Sequence, residues 1–211
     1  MLQIAAGIVL SYICGSIPFG IIITRVFKGV DVRSYGSGST GFTNVFRVAG
    51  PTAGAIVAIL DIAKGFLPVM VLAGLFYSPD ARFGMTEYQI ACGVAAVIGH
   101  ILTIFARFKG GKGVLTALGV LVGLLPIEVG IAFLSFLIVF AITRYISAGS
   151  LIAATVLLAV VVVERFGLGK DIDSSTVIFV AVIVVIIFIA HRSNIKRLVK
   201  GEENKFKRVK L

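Results

Sequence analysis

Long apolar stretches alternate with short polar connectors along almost the whole chain. We predict helices at residues 2–26, 51–76, 88–106, 113–125, 127–143, 146–164 and 174–191. A helix needs roughly 20 apolar residues to cross the hydrocarbon core of a bilayer. The fourth and fifth stretches are shorter and are separated only by Pro126, which either divides two spans or kinks one. The apolar pattern therefore predicts seven or six membrane spans.

The charges of the connectors decide between these two topologies. With seven spans, the basic segments fall on one side of the membrane, namely 27–50, 107–112, Arg144 and the tail from Arg192. The mixed or acidic segments then fall on the other side, namely 80–87, Glu128 and 164–173. Basic loops stay in the cytoplasm. We therefore predict an all-α fold, a polytopic membrane helical bundle of seven transmembrane helices with its N-terminus outside and its C-terminus cytoplasmic. Residues 1–211 are predicted to form a single integral membrane domain.

The composition agrees with a membrane protein and argues against a nucleic-acid-binding domain. Hydrophobic residues make up 58% of the chain and charged residues only 14%, whereas a soluble domain carries about 25% charge. The net charge of +10 comes from connectors and tail, where basic residues set topology and contact the headgroups of membrane lipids. No soluble basic domain is visible, so we predict no nucleic-acid partner. The carboxylates are few and scattered, and Cys14 and Cys92 lack metal-ligand spacing; we predict no metal site and no cofactor.

Segment 28–50 is the first of three polar clusters that the predicted topology places on the cytoplasmic side. Its residues 35–47 read YGSGSTGFTNVFR. Glycines that take a positive φ let backbone N–H groups point into one concavity, and such a nest binds phosphate. An arginine adds a bidentate grip on the same anion, although Gly and Ser are also typical of flexible linkers. The candidate ligand-binding residues of this segment are Gly36, Gly38, Gly41, Ser37, Ser39, Thr40, Thr43, Asn44 and Arg47.

The second cluster, RFKGGKG at 107–113, is a cationic turn between two predicted helices. It is not a Walker loop, because Lys112 is followed by Gly113 rather than by Ser or Thr. Lys112 has glycines on both sides and is the candidate contact for a second phosphate. Arg107 and Lys109 are explained equally well as topology signals.

The third cluster, AHRSNIKR at 190–197, follows the last predicted span. His191 and Asn194 are three residues apart and share a face if the helix continues. Neither side chain is of the type that snorkels to the membrane surface, so we predict a functional role for both. Ser150 borders the same side of the membrane, in the stretch RYISAGS.

Ionisable residues also lie inside the predicted spans. Asp61 and Lys64 are three residues apart in the second span. An intramembrane charge is a functional candidate, but two opposite charges at this spacing also form a neutralising structural pair, and both interpretations stay open. His100, late in the third span, is more typical of a hydrogen bond between helices than of catalysis.

In this order and spacing, the motifs GSGSTGFTNVFR, DIAKG, GHILTIFARFKGGKG and AHRSNIKR resemble the acyl-phosphate-dependent glycerol-3-phosphate acyltransferases of bacteria. The resemblance covers essentially the whole chain and includes GSIPFG at 15–20. It implies a seven-span enzyme of the cytoplasmic (inner) membrane whose active site faces the cytoplasm. Such an enzyme transfers a fatty acyl group from acyl phosphate to glycerol 3-phosphate, giving lysophosphatidic acid and phosphate for phospholipid synthesis.

The resemblance also implies roles for individual residues. Ser37, Thr43, Asn44 and Arg47 match its first phosphate-binding segment, Lys112 its second glycine-rich turn, His191 and Asn194 its third motif, and Ser150 an intervening serine. Ser39 and Phe42 depart from the pattern, since many members have Asn and a small residue there.

Catalysis of acyl transfer needs an oxyanion site and an acceptor for one proton. Backbone N–H groups and the hydroxyls of Ser37 and Thr43 are expected to stabilise the oxyanion. The proton acceptor is either His191 or a substrate phosphate, whose second pKa is about 6. A His-x4-Asp pair is absent, because Phe105 and Lys196 stand at that offset from the two histidines.

Two other functions use similar residues. A transporter of phosphate esters would also carry anion-binding loops, but it would need charged residues near the midplane and donors on both sides of the membrane. A structural or lipid-binding membrane protein would keep the same topology charges without chemistry.

Overall fold

The computed structural model describes residues 1–205, and over that range the protein is all-helical, with no β-strand. The helices are α1 (Leu2–Ser16), α2 (Phe19–Lys28), α3 (Phe42–Ala49), α4 (Pro51–Leu67), α5 (Ala73–Phe76), α6 (Met85–Ile101), α7 (Val114–Leu124), α8 (Pro126–Thr143), α9 (Ile146–Val162), α10 (Ser174–Ala190) and α11 (Arg192–Lys200). A π-helical turn at Pro68–Leu72 joins α4 to α5, and a second one at Val163–Gly167 extends α9. The all-α prediction is confirmed.

Five helical segments of the described chain are long and apolar enough to cross a membrane: Leu2–Lys28, Pro51–Phe76, Met85–Ala106, Pro126–Thr143 and Ile146–Gly167. A sixth is added if α10 and α11, which are bent by 59° relative to each other, count as one span. The described chain divides into two units, Met1–Leu124 and a second unit that begins at Leu125.

Glycines determine how the helices of the first unit pack. Helix α1 packs against α6, and α4 packs against α7. A Cβ atom on any of four helical glycines would lie within 2.2 Å of a backbone oxygen of the partner helix: Gly15, Gly65, Gly99 and Gly119. Small residues of this kind let two helix backbones touch, which favours helix association where lipid supplies no hydrophobic driving force.

The first predicted helix, 2–26, is wrong as a single element. Helix α1 ends at Ser16 and α2 begins at Phe19, because Pro18 has no N–H to continue the helical hydrogen bonds. Side chains from two other segments bond the carbonyl groups exposed at this break. Lys64 Nζ donates to Ile17 O at 2.8 Å, and Thr103 Oγ1 donates to Ser16 O.

Other predicted boundaries also need correction. The predicted third helix, 88–106, runs instead from Met85 to Ile101 and is followed by a 3-10 turn. The polar connector 28–50 is not all loop, since eight of its residues form α3. The predicted tail 192–211 begins as helix α11, and its last six residues lie outside the described part of the chain.

Pro126 divides two helices rather than kinking one. Leu125 has φ −140° and ψ 62°, and Pro126 begins α8, a position where its missing N–H costs nothing. Helix α7 has only 11 residues, or about 16 Å, which is about half of the hydrocarbon thickness. Length alone therefore does not make α7 a membrane span.

In the second unit, α9 packs against α8, α10 and α11. Phe133, Phe136 and Phe140 stack along α8 with ring centroids 6.0 and 5.9 Å apart, and Gly149 leaves room for the Phe136 ring. Lys170 donates to the buried Glu128 and to Glu164, and the bond to Glu128 raises the pKa of Lys170. The carboxylate at the start of α8 is therefore neutralised by a charged partner.

Candidate active site

Helix α3 presents one polar face and one core face. Val45 and Val48 are buried in an apolar cluster of the first unit. Thr43 and Arg47 are four residues apart, so they share the opposite face, and both are half-buried. The structure thus places two of the predicted site residues side by side on a short, well-anchored helix.

Asn44 connects α3 to the glycine-rich loop before it. Its side chain is 1% exposed, and its Oδ1 accepts a hydrogen bond from Ser37 N–H at 3.0 Å. Its Nδ2 lies 2.9–3.1 Å from three carbonyl oxygens of the loop, those of Val32, Tyr35 and Ser39. An amide has two hydrogens to donate, so one is shared. Every polar atom of the Asn44 side chain is therefore bonded to the loop backbone.

Fewer glycines of this loop take a positive φ than the three in its sequence suggested. Gly36 and Gly38 take positive φ values of 60° and 70°. Gly41 does not, and that expectation was wrong: as the N-cap of α3 it is extended, with φ −82° and ψ 167°, as N-cap residues usually are. The N–H groups of Gly38 and Gly41 donate within the loop, and that of Ser37 donates to Asn44 Oδ1 on α3. Side chains therefore have to supply much of any anion binding here.

The arginines of this region differ in whether they are already paired. Arg33 donates to both carboxylate oxygens of Asp31 at 3.0 and 2.8 Å, and Arg25 donates to Asp31 at 3.1 Å. The bond from Arg33 holds the pKa of Asp31 well below its usual range. Arg47 forms no hydrogen bond or ion pair among the described residues. Arg47 is therefore the arginine best placed to receive an anion.

The second glycine-rich turn folds back on the end of α6. Gly110 N–H donates to Ile101 O at 3.0 Å, and Gly111 N–H donates to His100 O at 3.3 Å. Neither glycine has room for a side chain, since a Cβ would lie 1.9 Å from His100 O at Gly110 and 2.3 Å from His100 Nε2 at Gly111. This fit fixes the start of α7, where Lys112 is exposed.

The first two predicted segments meet within the first unit. The Cβ position of Gly111 lies 3.3 Å from Thr40 Oγ1, as well as against the His100 ring. The loop that contains Ser37 and the turn that contains Lys112 are therefore in contact through Thr40, Gly111 and His100.

The third predicted segment belongs to the second unit. His191 is buried at the bend between α10 and α11, and its Nδ1 lies 2.8 Å from Ile187 O. Because a carbonyl oxygen only accepts, the neutral ring carries its hydrogen on Nδ1 and its lone pair on Nε2. Ser150 Oγ donates to Ile146 O at 3.0 Å, one turn back along α9.

Glu203 is an organising residue that the sequence analysis missed. It accepts hydrogen bonds from Ser147 Oγ at 2.9 Å, Asn194 Nδ2 at 2.8 Å and Arg197 Nε at 2.8 Å. Burial alone would raise the pKa of Glu203, but these hydrogen bonds outweigh it and lower the pKa. The signal was an acidic pair, Glu202 and Glu203, in an otherwise basic tail. Asn194 Oδ1 has no hydrogen-bond partner in the described chain.

Within residues 1–205, no three His, Cys, Asp or Glu side chains come together as a metal ion would require. Each unit contains hydroxyl, amide, imidazole and cationic side chains among its polar groups, and such groups suit anionic substrates and proton transfer.

Comparisons with known proteins agree with this chemistry. The sequence model of the family described as Glycerol-3-phosphate acyltransferase matches residues 5–201. Relatives named glycerol-3-phosphate acyltransferase include one from Chlorobaculum tepidum, 40% identical over 97% of both chains. One from Geobacter sulfurreducens is 45% identical over 93% of this chain and 94% of the relative.

Solved structures of a related protein match the whole fold. Crystal structures of PlsY (YgiH), an integral membrane glycerol 3-phosphate acyltransferase, superpose with TM-scores of 0.82 for its glycerol 3-phosphate form and 0.81 for its lysophosphatidic acid form. They are 35% identical over 97% of this chain and 96% and 95% of theirs. The chain therefore belongs to the glycerol-3-phosphate acyltransferase family and is an integral membrane acyltransferase.

Proposed function

We propose that this protein transfers a fatty acyl group from acyl phosphate to glycerol 3-phosphate, giving lysophosphatidic acid and phosphate for phospholipid synthesis. The observation that carries the proposal is the contact between two glycine-rich segments in one unit, each with its own cation, Arg47 and Lys112. Both proposed substrates carry a phosphoryl group, and such a pair of cationic segments suits two of them. The solved relatives in glycerol 3-phosphate and lysophosphatidic acid forms support the acceptor and the product.

In this proposal the predicted site residues have different roles. Arg47 and Lys112 bind phosphoryl oxygens, and Gly36, Gly38 and Gly41 shape the first loop around them. Asn44 acts as a positioning residue, since its amide is committed to the loop backbone. Ser37 and Thr43 contact the substrates. The substrate contacts of Ser150, His191 and Asn194, which belong to the second unit, stay predictions from the sequence.

The chemical step needs only these groups and the substrates. A hydroxyl oxygen of glycerol 3-phosphate attacks the acyl carbonyl carbon, and the bond from that carbon to the phosphate oxygen breaks. The hydroxyls of Ser37 and Thr43 stabilise the negative charge on the carbonyl oxygen. The proton of the attacking hydroxyl passes to a substrate phosphate or to His191, the two alternatives that the sequence leaves open. Holding the hydroxyl against the carbonyl supplies much of the rate, because phosphate is a good leaving group.

A direct assay tests this reaction. We expect purified protein, reconstituted in lipid, to release one phosphate and form one lysophosphatidic acid per palmitoyl phosphate consumed when glycerol 3-phosphate is present. Palmitoyl-CoA in place of palmitoyl phosphate is expected to give no product, since its acyl group is attached to a thiol sulfur and not to a phosphoryl group that Lys112 could bind. Turnover with palmitoyl-CoA but not with palmitoyl phosphate would reject the proposed donor.

The same proposal includes seven membrane crossings, an N-terminus outside, and loops 28–50 and 107–113 on the cytoplasmic side of a bacterial inner membrane. Helix α7 must then cross as the fourth segment, although it spans only about half of the hydrocarbon core. Its residues Thr116, Ala117, Gly119, Val120 and Leu121 are buried. Helix ends at membrane depth are tolerated where they are buried in protein rather than exposed to lipid, so a short crossing is physically possible.

Labelling of single cysteines distinguishes seven crossings from six. In a Cys14→Ala, Cys92→Ala background, we expect Asp171→Cys, which is fully exposed, to react with an impermeant maleimide on intact cells. If α7 does not cross, position 171 faces the cytoplasm and reacts only after permeabilisation. Asp80→Cys and Lys109→Cys are the controls, because both topologies place them outside and inside, respectively.

A further inference from the structure

Three ionisable side chains form a buried polar cluster between α4 and α6. Asp61, Lys64 and His100 are 2%, 3% and 6% exposed. Lys64 Nζ lies 3.0 Å from Asp61 Oδ1, and His100 Nδ1 lies 3.6 Å from the same oxygen. We name these three residues the buried triad. None of them has been given a role in the reaction above.

The buried triad holds the broken first helix in place. Lys64 Nζ donates to Ile17 O at 2.8 Å, beside Pro18, and lies 5.5 Å from the centre of the Phe19 ring. One ammonium group therefore neutralises Asp61 and also bonds the carbonyl that the break exposes. This contact fixes where α2 starts.

Both glycine-rich segments pack against parts of the chain that the buried triad holds, namely the start of α2 and the end of α6. Gly20, at the start of α2, packs against the first loop so closely that a Cβ there would lie 1.7 Å from Thr40 O. Gly111 of the second turn packs against His100 Nε2, 2.3 Å from the position that its Cβ would take. The triad therefore reaches the first loop through α2 and the second turn through His100.

The space at this junction is too small for a substrate. Its volume is about 10 Å³, and its lining includes Thr40, Thr103 and the whole triad. That is room for about one water molecule, so neither phosphate ester fits into this space beside the triad.

We propose that Asp61, Lys64 and His100 are positioning residues, which set the distance between the first loop and the second turn so that both phosphoryl groups are held for transfer. This inference rests on the proposed function. It assigns the intramembrane charges neither to catalysis nor to mere neutralisation of each other, and it makes His100 the member that touches a phosphate-binding segment.

A double-mutant cycle between His100 and Gly111 tests the contact. Gly111 does not need a positive φ, so Gly111→Ala acts mainly by pushing on the His100 ring, 2.3 Å from the new Cβ, and only weakly on Thr40 Oγ1 at 3.3 Å. His100→Ala removes the main obstacle. We expect each single variant to raise the KM for glycerol 3-phosphate at least about fivefold. We express each kcat/KM relative to wild type. The relative value of the double variant should be at least about threefold higher than the product of the relative values of the two single variants, since residues in contact do not act additively.

Gly110 supplies the matched control. Its Cβ would meet the backbone oxygen of His100, which His100→Ala leaves in place, so that pair should be additive. Tyr88→Phe is a second control on the same helix, about 18 Å away. It removes a buried hydrogen bond to Ile4 O and should lower thermal stability without changing KM. His100→Gln, which keeps a polar nitrogen, should recover part of the KM loss.

The results separate this inference from the proposed function. Additive effects in the His100–Gly111 pair, or a fall in kcat at unchanged KM, overturn the positioning role. Coupling that appears in thermal unfolding temperatures but not in KM also overturns it, because it reveals packing alone. If the wild-type protein has no turnover, the proposed function fails, and the unfolding cycle still reports whether His100 and Gly111 are in contact.

Discussion

Replacing Arg47 by alanine is expected to lower kcat/KM roughly 100- to 1000-fold. The expectation follows from the position of Arg47 on the polar face of α3 beside Thr43, where it has no ionic partner in the described chain. A hydrogen bond to a charged group is worth about 1.5–3 kcal/mol, and a guanidinium forms two parallel bonds with a phosphoryl group. Their loss weakens substrate binding and transition-state binding together, so KM rises and kcat/KM falls while the rate at saturating substrate changes little.

The measurement is steady-state kinetics on protein of matched folded amount, with Arg25→Ala as the control. Arg25 is an arginine of the same region, but it is paired with Asp31 and its side chain is 61% exposed. We expect its removal to change kcat/KM less than about threefold, as for other exposed ion pairs. Arg47→Lys should recover only part of the loss, because an ammonium cannot form the bidentate contact. Equal losses in the two alanine variants would mean that Arg47 acts only through the positive charge of the region.

The contrast between these arginines illustrates what the sequence could and could not predict about the site. The Gly, Ser, Asn and Arg content of the connector singled out this segment as the candidate site, because such donors are rare beside membrane helices. Whether an arginine is available depends on its neighbours in space. Asp31 lies two residues from Arg33, so that pairing was visible in principle, whereas the isolation of Arg47 required the structure of α3.

The apolar pattern predicted the long helices correctly. It failed where a local feature of the sequence interrupts a helix. The run 2–26 is uniformly apolar, so hydropathy continued it through Pro18, although proline ends or kinks a helix. Helix α3 was missed because eight residues are too few to cross a membrane and directly follow a Gly- and Ser-rich loop. The helix is stabilised by packing of its core face on α4. His100 was expected to form a hydrogen bond between helices, but its contact with Gly111 arises only from the tertiary fold.

Asn44→Asp is expected to abolish activity and to destabilise the protein together, by about 3 kcal/mol or more. The two side chains have almost the same shape, so packing is unchanged. The carboxylate still accepts from Ser37 N–H, but the group that donated to the carbonyls of Val32, Tyr35 and Ser39 becomes an oxygen. A buried negative charge then faces three carbonyl oxygens without a counter-ion. Protonating the aspartate relieves the charge but restores only one donor hydrogen.

Thr43→Val separates the loop-positioning role of Asn44 from direct contact with substrate. Thr43 is the preceding residue on the same helix and is half-buried, and the proposed mechanism uses its hydroxyl on the substrate. We expect Thr43→Val to lower kcat while leaving the thermal unfolding temperature within a few degrees of wild type. Asn44→Asp should lower both, and Asn44→Ala should do the same, because it leaves the loop groups unbonded. If Asn44→Ala instead lost activity at an unchanged unfolding temperature, Asn44 would have to contact the substrate itself, and the loop would keep its shape by other bonds.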